Sequence, residues 1–184
     1  MVQSDNKKHQ KLVGTVCWIT GLSGSGKTTL AHSVYEHLRN KKPNVVLLDG
    51  DATREVFGTT GDYRLEERQA AAMRNARLCK LIASQGVDVI CSTISMWNCC
   101  RRWNRENLTR YIEVYLRVPL SVLKERDSKG IYRNTMDEQN TNIVGVDLPA
   151  EEPQTPDLVI DNYGDTTPKE ALEQVVKLLT SIKV

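Results

Sequence analysis

The sequence holds a single phenylalanine, and aromatic residues make up only 5% of its 184 positions. Three tryptophans and six tyrosines supply the remaining rings. No apolar run approaches the roughly 18 residues that a membrane-crossing helix needs, so no membrane span is expected. There is little excess of charge. Lys and Arg number 25 against 23 Asp and Glu, for a formal net charge of +2. That balance removes the electrostatic case for nucleic acid or a membrane surface as a partner. The five cysteines are odd in number and include no CxxC pair, and the adjacent Cys99 and Cys100 do not have metal-ligand spacing. They read as thiols kept reduced in a cytoplasmic setting. His9, His32 and His37 stand apart from cysteines and from acids at ligand spacing. The opening MVQSDNKKHQK lacks an apolar core, so residues 1–12 are expected to be a flexible tail and not a signal peptide. There is also no Asn-Lys-x-Asp, the base-reading motif of GTPases, and no internal repeat.

What is present is an alternation of apolar runs and helical patterns. GTVCWIT (14–20), VVLLD (45–49), VDVICST (87–93), YIEVYLR (111–117) and DLVID (157–161) are short and β-rich, as buried strands are. Between them, helical spacing is expected over 27–40, 64–85, 98–109, 120–127 and 169–182, with at most a short helix at 53–57. Gly86 marks the end of the long helix. Strands alternating with helices predict an α/β domain over 13–184, with a parallel five-stranded sheet and helices on both faces. Residues 128–156 break the rhythm with two glycines and three prolines in a long polar stretch. A loop of that length in a compact domain predicts a lid.

GLSGSGKT, residues 21–28, fits G-x-x-x-x-G-K-[ST] between a strand and a helix. Glycines let such a loop curl its N–H groups inward, and the helix N-terminus adds positive potential for an anion. Lys27 then reaches the β- and γ-phosphates of ATP, and Thr28 offers an oxygen to Mg²⁺. The second strand ends in DGD (49–51), followed by Arg54. A carboxylate there emerges at the C-terminal sheet edge, where open α/β folds place their chemistry. Asp51 is the expected metal-linked acid or base, and Arg54 the expected contact for an anionic acceptor.

GLSGSGKTTLA, LLDGD with Arg54, and YIEVYLRVPLSVLKERDSKGIYR together resemble the adenylylsulfate (APS) kinases, P-loop kinases that use MgATP to phosphorylate the ribose 3′-hydroxyl of APS. The resemblance runs from about residue 14 to 160, and RDSKGIY (126–132) is its strongest part. It implies that Gly21, Ser23, Gly24, Ser25, Gly26, Lys27, Thr28 and Thr29 hold ATP, with Arg126 on the same side. It implies that Arg54 and Arg68 contact the acceptor, that Ser95 lies near it, and that Arg126 to Tyr132 begin the lid with Lys129 reaching toward phosphates. Members of the family often form homodimers.

The departures fall on the acceptor side. Where the family has GFS, this chain has Asp62, Tyr63 and Arg64; Tyr63 can still stack on a base. The family's acceptor Asn is Ala71, its lid Phe is Ile143, its KKAR is RNTM (133–136), and its ISP proline is Met96. Asn75 lies one turn beyond Ala71 and could supply the missing amide. The expected substrate is therefore a small-molecule nucleotide conjugate. It is either APS or, by the same chemistry, another such as a cytidine diphosphate derivative of the CDP-phosphoramidate type. A nucleotide-binding module without catalysis is the remaining reading, and intact Lys27, Thr28 and Asp51 speak against it.

Overall fold

A computed structural model describes residues 12–58, 64–127, 130–132 and 142–181. Its centre is a sheet of five parallel strands: β1 (Val16–Thr20), β2 (Val45–Asp49), β3 (Asp88–Ser92), β4 (Tyr111–Arg117) and β5 (Leu158–Asp161). Their spatial order is β2-β3-β1-β4-β5. Among the described residues six helices connect and cover them: α1 (Lys27–Arg39), α2 (Gly50–Val56), α3 (Leu65–Ala83), α4 (Asn98–Asn107), α5 (Leu120–Arg126) and α6 (Pro168–Ser181). None among the described residues is long and apolar enough to cross a membrane.

β1 is buried throughout because it lies mid-sheet with helices over both faces. Its side chains alternate between two cores, as a pleated strand requires. Cys17 and Ile19 join Leu30 and Val34 of α1 and Val175 of α6. Val16 and Trp18 face the opposite layer, with Ala72, Ala76 and Cys79 of α3 and Trp97 and Cys100 beside α4. The alanine-rich sequence of α3 is thereby explained in part. Ala72 and Ala76 are buried and offer little side-chain volume, so the α3 backbone lies close to the sheet.

Local chemistry sets the helix ends. α2 begins at Gly50, three residues before the expected start, because the Asp49 carboxylate accepts a hydrogen bond from the Asp51 amide at 2.9 Å and caps it. α3 stops before Gly86, whose φ of 83° suits glycine and whose N–H returns to the Ala83 carbonyl. At α6, Thr167 and Glu170 bond reciprocally as a capping box.

Candidate active site

The loop between β1 and α1 opens at the C-terminal edge of the central strand, with Gly24 at φ 74° and Gly26 at φ 93°. Gly21 has a steric reason of its own, because a Cβ there would lie 2.6 Å from the Leu116 carbonyl oxygen on β4. Lys27, only 8% exposed, donates to the Leu22 carbonyl at 2.6 Å. Its ammonium is thus held against the loop that it follows. The loop lines a cleft of about 160 Å³ whose far wall is Asp49, Asp51 and Arg54. Ser23, Gly24, Gly26, Thr28 and Thr29 also face this cleft. Gly21 and Ser25 are buried behind it and shape the loop from beneath.

The two carboxylates after β2 are differently placed. Asp49 Oδ2 accepts hydrogen bonds from Thr28 Oγ1 at 3.0 Å and from Ser92 Oγ at 2.7 Å. Asp51 pairs instead with Arg54, three residues on, and is the more exposed of that pair. Thr28 thus meets Asp49, and not Asp51, the carboxylate expected to be linked to the metal. Asp51 lines the cleft as an exposed carboxylate with an arginine beside it. Thr28 and Asp49 form an oxygen-only donor set, and no group of three or more His, Cys, Asp or Glu suited to a metal occurs among the described residues. That composition fits Mg²⁺, which uses one or two carboxylates and completes its shell with water and phosphate oxygens.

The residues expected on the acceptor side are dispersed. Arg54 reaches the cleft, whereas Arg68 of α3 donates to the Asn142 carbonyl at 2.9 Å, bridging α3 to the 142–150 segment. Asn75 is 4% exposed and is not among the residues that line the cleft. Ser95 is fully buried behind the cleft. Its carbonyl accepts from Arg101 at 3.0 Å, and Thr93 and Ile94 line the cleft in its place. Ile143 packs into an apolar cluster with Val118, Leu123 and Tyr132. Tyr63, Lys129 and the RNTM stretch (133–136) lie outside the described residues.

Both described arms of the expected lid rest on the phosphate loop. On the first arm, Arg126 donates to the Asn162 carbonyl at 3.0 Å. Asp127 accepts from the Tyr132 amide, and the Tyr132 hydroxyl donates to the Ser23 carbonyl at 2.9 Å. Burial, with the Asp127 carboxylate as a lesser cause, pushes that phenol up to about 12, so it remains a donor at neutral pH. On the second arm, a tight turn at 143–148 brings Gly145 against Leu22. A Cβ at Gly145 would lie 2.9 Å from a Leu22 methyl. The arm then ends at Glu151. Its amide donates to the Met96 carbonyl, its carboxylate accepts from the Asn98 amide, and its carbonyl accepts from Arg101 at 2.8 Å.

Arg101 of α4, unlike its exposed neighbour Arg102, is turned inward. It is buried, and it ties the end of β3, the start of α4 and the second arm to Glu113 of β4. Burial raises the Glu113 carboxyl above the ordinary range, against the lowering pull of Arg101 and Arg105.

The sequence model of the adenylylsulphate kinase family matches residues 13–161. The chain is 38% identical over 164 residues to the cytidine diphosphoramidate kinase of Campylobacter jejuni, spanning 89% of this chain and 95% of that protein. It is 36% identical over 166 residues to the adenylyl-sulfate kinase of Halothermothrix orenii, spanning 90% and 89%. Its fold matches the Mycobacterium tuberculosis APS kinase solved with AMPPNP and APS. The TM-score is 0.83 at 30% identity, over 91% of this chain and 98% of that one.

Proposed function

The chain belongs to the adenylylsulphate kinase family, and we propose that its acceptor is a cytidine diphosphate conjugate of the phosphoramidate type, phosphorylated on the ribose 3′-hydroxyl. The coarser activity is ATP-dependent phosphoryl transfer to a nucleotide conjugate. The observation that carries the finer reading is Ile143. The family resemblance leads one to expect an aromatic lid residue there, closing on the acceptor base. This chain has a branched aliphatic side chain, turned into a cluster with Val118, Leu123 and Tyr132. A single-ring pyrimidine needs less stacking surface than a purine. The 38% identity to the Campylobacter jejuni enzyme supports the same choice.

In this reading the loop amides and Lys27 bind the ATP phosphates, with Lys27 leaving the Leu22 carbonyl to do so. Asp49 and Thr28 would hold Mg²⁺, which when bound neutralises charge on the phosphate oxygens. Asp51, exposed in the cleft, accepts the proton from the attacking hydroxyl. Arg54 and Arg68 take the anionic part of the acceptor. The lid arms exclude water, the competing phosphoryl acceptor.

A second reading, APS itself, is favoured by the retained Arg54 and Arg68 and by the 36% identity to an adenylyl-sulfate kinase. Steady-state ADP release with a cytidine diphosphoramidate, other cytidine and uridine diphosphate conjugates, and APS separates the two. We expect the cytidine conjugate to lead APS in kcat/KM by about a hundredfold, the discrimination that a few unmatched polar and stacking contacts produce. A preference for APS by orders of magnitude would overturn the cytidine assignment. If no nucleotide conjugate accelerates ADP release over water, the kinase role itself is wrong.

A further inference from the structure

We propose that Asn162, at the end of β5, is a positioning residue that orients the phosphate loop and Arg126 together; the proposal rests on the reading of that loop as the ATP site. Asn162 is anchored first by its own backbone, whose N–H donates to the Arg117 carbonyl of β4 at 3.1 Å. From there its side-chain amide donates to the Ser25 carbonyl at 2.8 Å, across 137 residues of sequence. Its main-chain carbonyl accepts from Arg126, the residue that opens the first lid arm, at 3.0 Å.

The contact with Ser25 has a directional consequence. The peptide between Ser25 and Gly26 is planar and trans, so its C=O and N–H point opposite ways. Holding the carbonyl outward on Asn162 aims the Gly26 N–H away from Asn162. An anion-binding loop needs its N–H groups turned inward and its carbonyls satisfied elsewhere. Steric fit adds a second constraint. A Cβ on Gly26 would lie 2.6 Å from the Asn162 side-chain nitrogen, so a side chain there would push the amide off the Ser25 carbonyl.

A residue that only packs β5 against the loop would tolerate an isosteric change better than truncation. A residue that orients the peptide by donating to it would show the reverse order. Asn162→Asp keeps the shape but sets a carboxylate against the Ser25 carbonyl and near the triphosphate. Asn162→Ala removes the donor without adding charge. The test measures the Kd for ATP by titration, and kcat and acceptor KM by ADP release, in both variants and the unaltered chain. Thermal denaturation is followed in parallel. We expect Asn162→Ala to weaken ATP about tenfold and Asn162→Asp by about a hundredfold, with acceptor KM unchanged.

Equal ATP affinity in all three proteins overturns the proposal. So does Asn162→Ala weakening ATP more than Asn162→Asp, or ATP and acceptor weakening in parallel. If Asn162→Asp does not fold, the split between ATP Kd and acceptor KM in Asn162→Ala decides alone. Failure of the unaltered chain to bind ATP would instead overturn the nucleotide reading beneath it.

Discussion

In the half of the site assigned to ATP, the groups that meet the phosphates come from one stretch, Gly21–Thr29, folded around the end of β1. In the half assigned to the acceptor, Arg54, Arg68, Ile94 and Ile143 come from α2, α3, the turn after β3 and the 142–150 segment. The first half works through backbone. Its glycines place N–H groups, and any chain with the same curl will bind the same phosphates. The second half works through side chains at the ends of separate elements, and each of them can change without disturbing the fold. That difference explains why substitutions relative to the family pattern gather on one side. A phosphate loop has one solution, whereas a nucleotide edge can be met in several ways.

The largest effect should come from the ATP half. Lys27→Ala removes the only side-chain cation of the loop, and we expect kcat to fall about a thousandfold or more, in line with other donors lost to developing phosphoryl charge. ADP release at saturating acceptor measures it. A near-normal kcat would dissolve the contrast, because the loop would then not be the catalytic half.

An intermediate effect should come from Arg68→Ala. Loss of one charge-assisted contact predicts a fall of about ten- to a hundredfold in kcat/KM for the acceptor, with the KM for ATP held. Arg68 also donates to the Asn142 carbonyl, so some of that loss will be poorer docking of the second arm. Loosened docking admits water, and acceptor-free ATP hydrolysis should rise in the variant. If ATP affinity falls as much as acceptor affinity, the two halves are not separable at α3.

The same contrast governs what could be read from the residues alone. The extents of β2 and β4 agree with their apolar runs, because each is a local pattern bounded by turn residues. The phosphate loop was equally legible, being contiguous. The contact of Thr28 with Asp49 was not. It depends on parallel pairing that sets Asp49 opposite Ser92, which brings the serine hydroxyl and the Thr28 hydroxyl to the same carboxylate. Asn162 carried no local signal, since its partner Ser25 lies 137 residues away. Arg101 carried no local sign of its burial either, since its neighbour Arg102 is exposed. Its burial follows from a partner on β4, Glu113, that pairing alone brings near. Ser95 was expected at the acceptor, but the chain turns after β3 so that Ile94 faces the cleft and Ser95 the interior.

The smallest effect tests whether α3 also reads the acceptor. Ala71 is half-buried one turn before Asn75, and Ala72 beside it belongs to the core. Only the first of these alanines has room to change without repacking the sheet. Asn75, nearly buried one turn on, carries an amide where the family's Asn position holds Ala71. Restoring an amide with Ala71→Asn should shift the ratio of kcat/KM for APS over the cytidine conjugate about three- to tenfold toward APS, the worth of one neutral hydrogen bond. The pair Ala71→Asn and Asn75→Ala sharpens the point. If the two amides compete for one acceptor edge, their effects on that ratio will not add. Additive effects would mean that the two amides meet separate edges of the acceptor, and no change in the ratio would mean that neither reads the base and that the choice of acceptor lies with Ile143 and its arm.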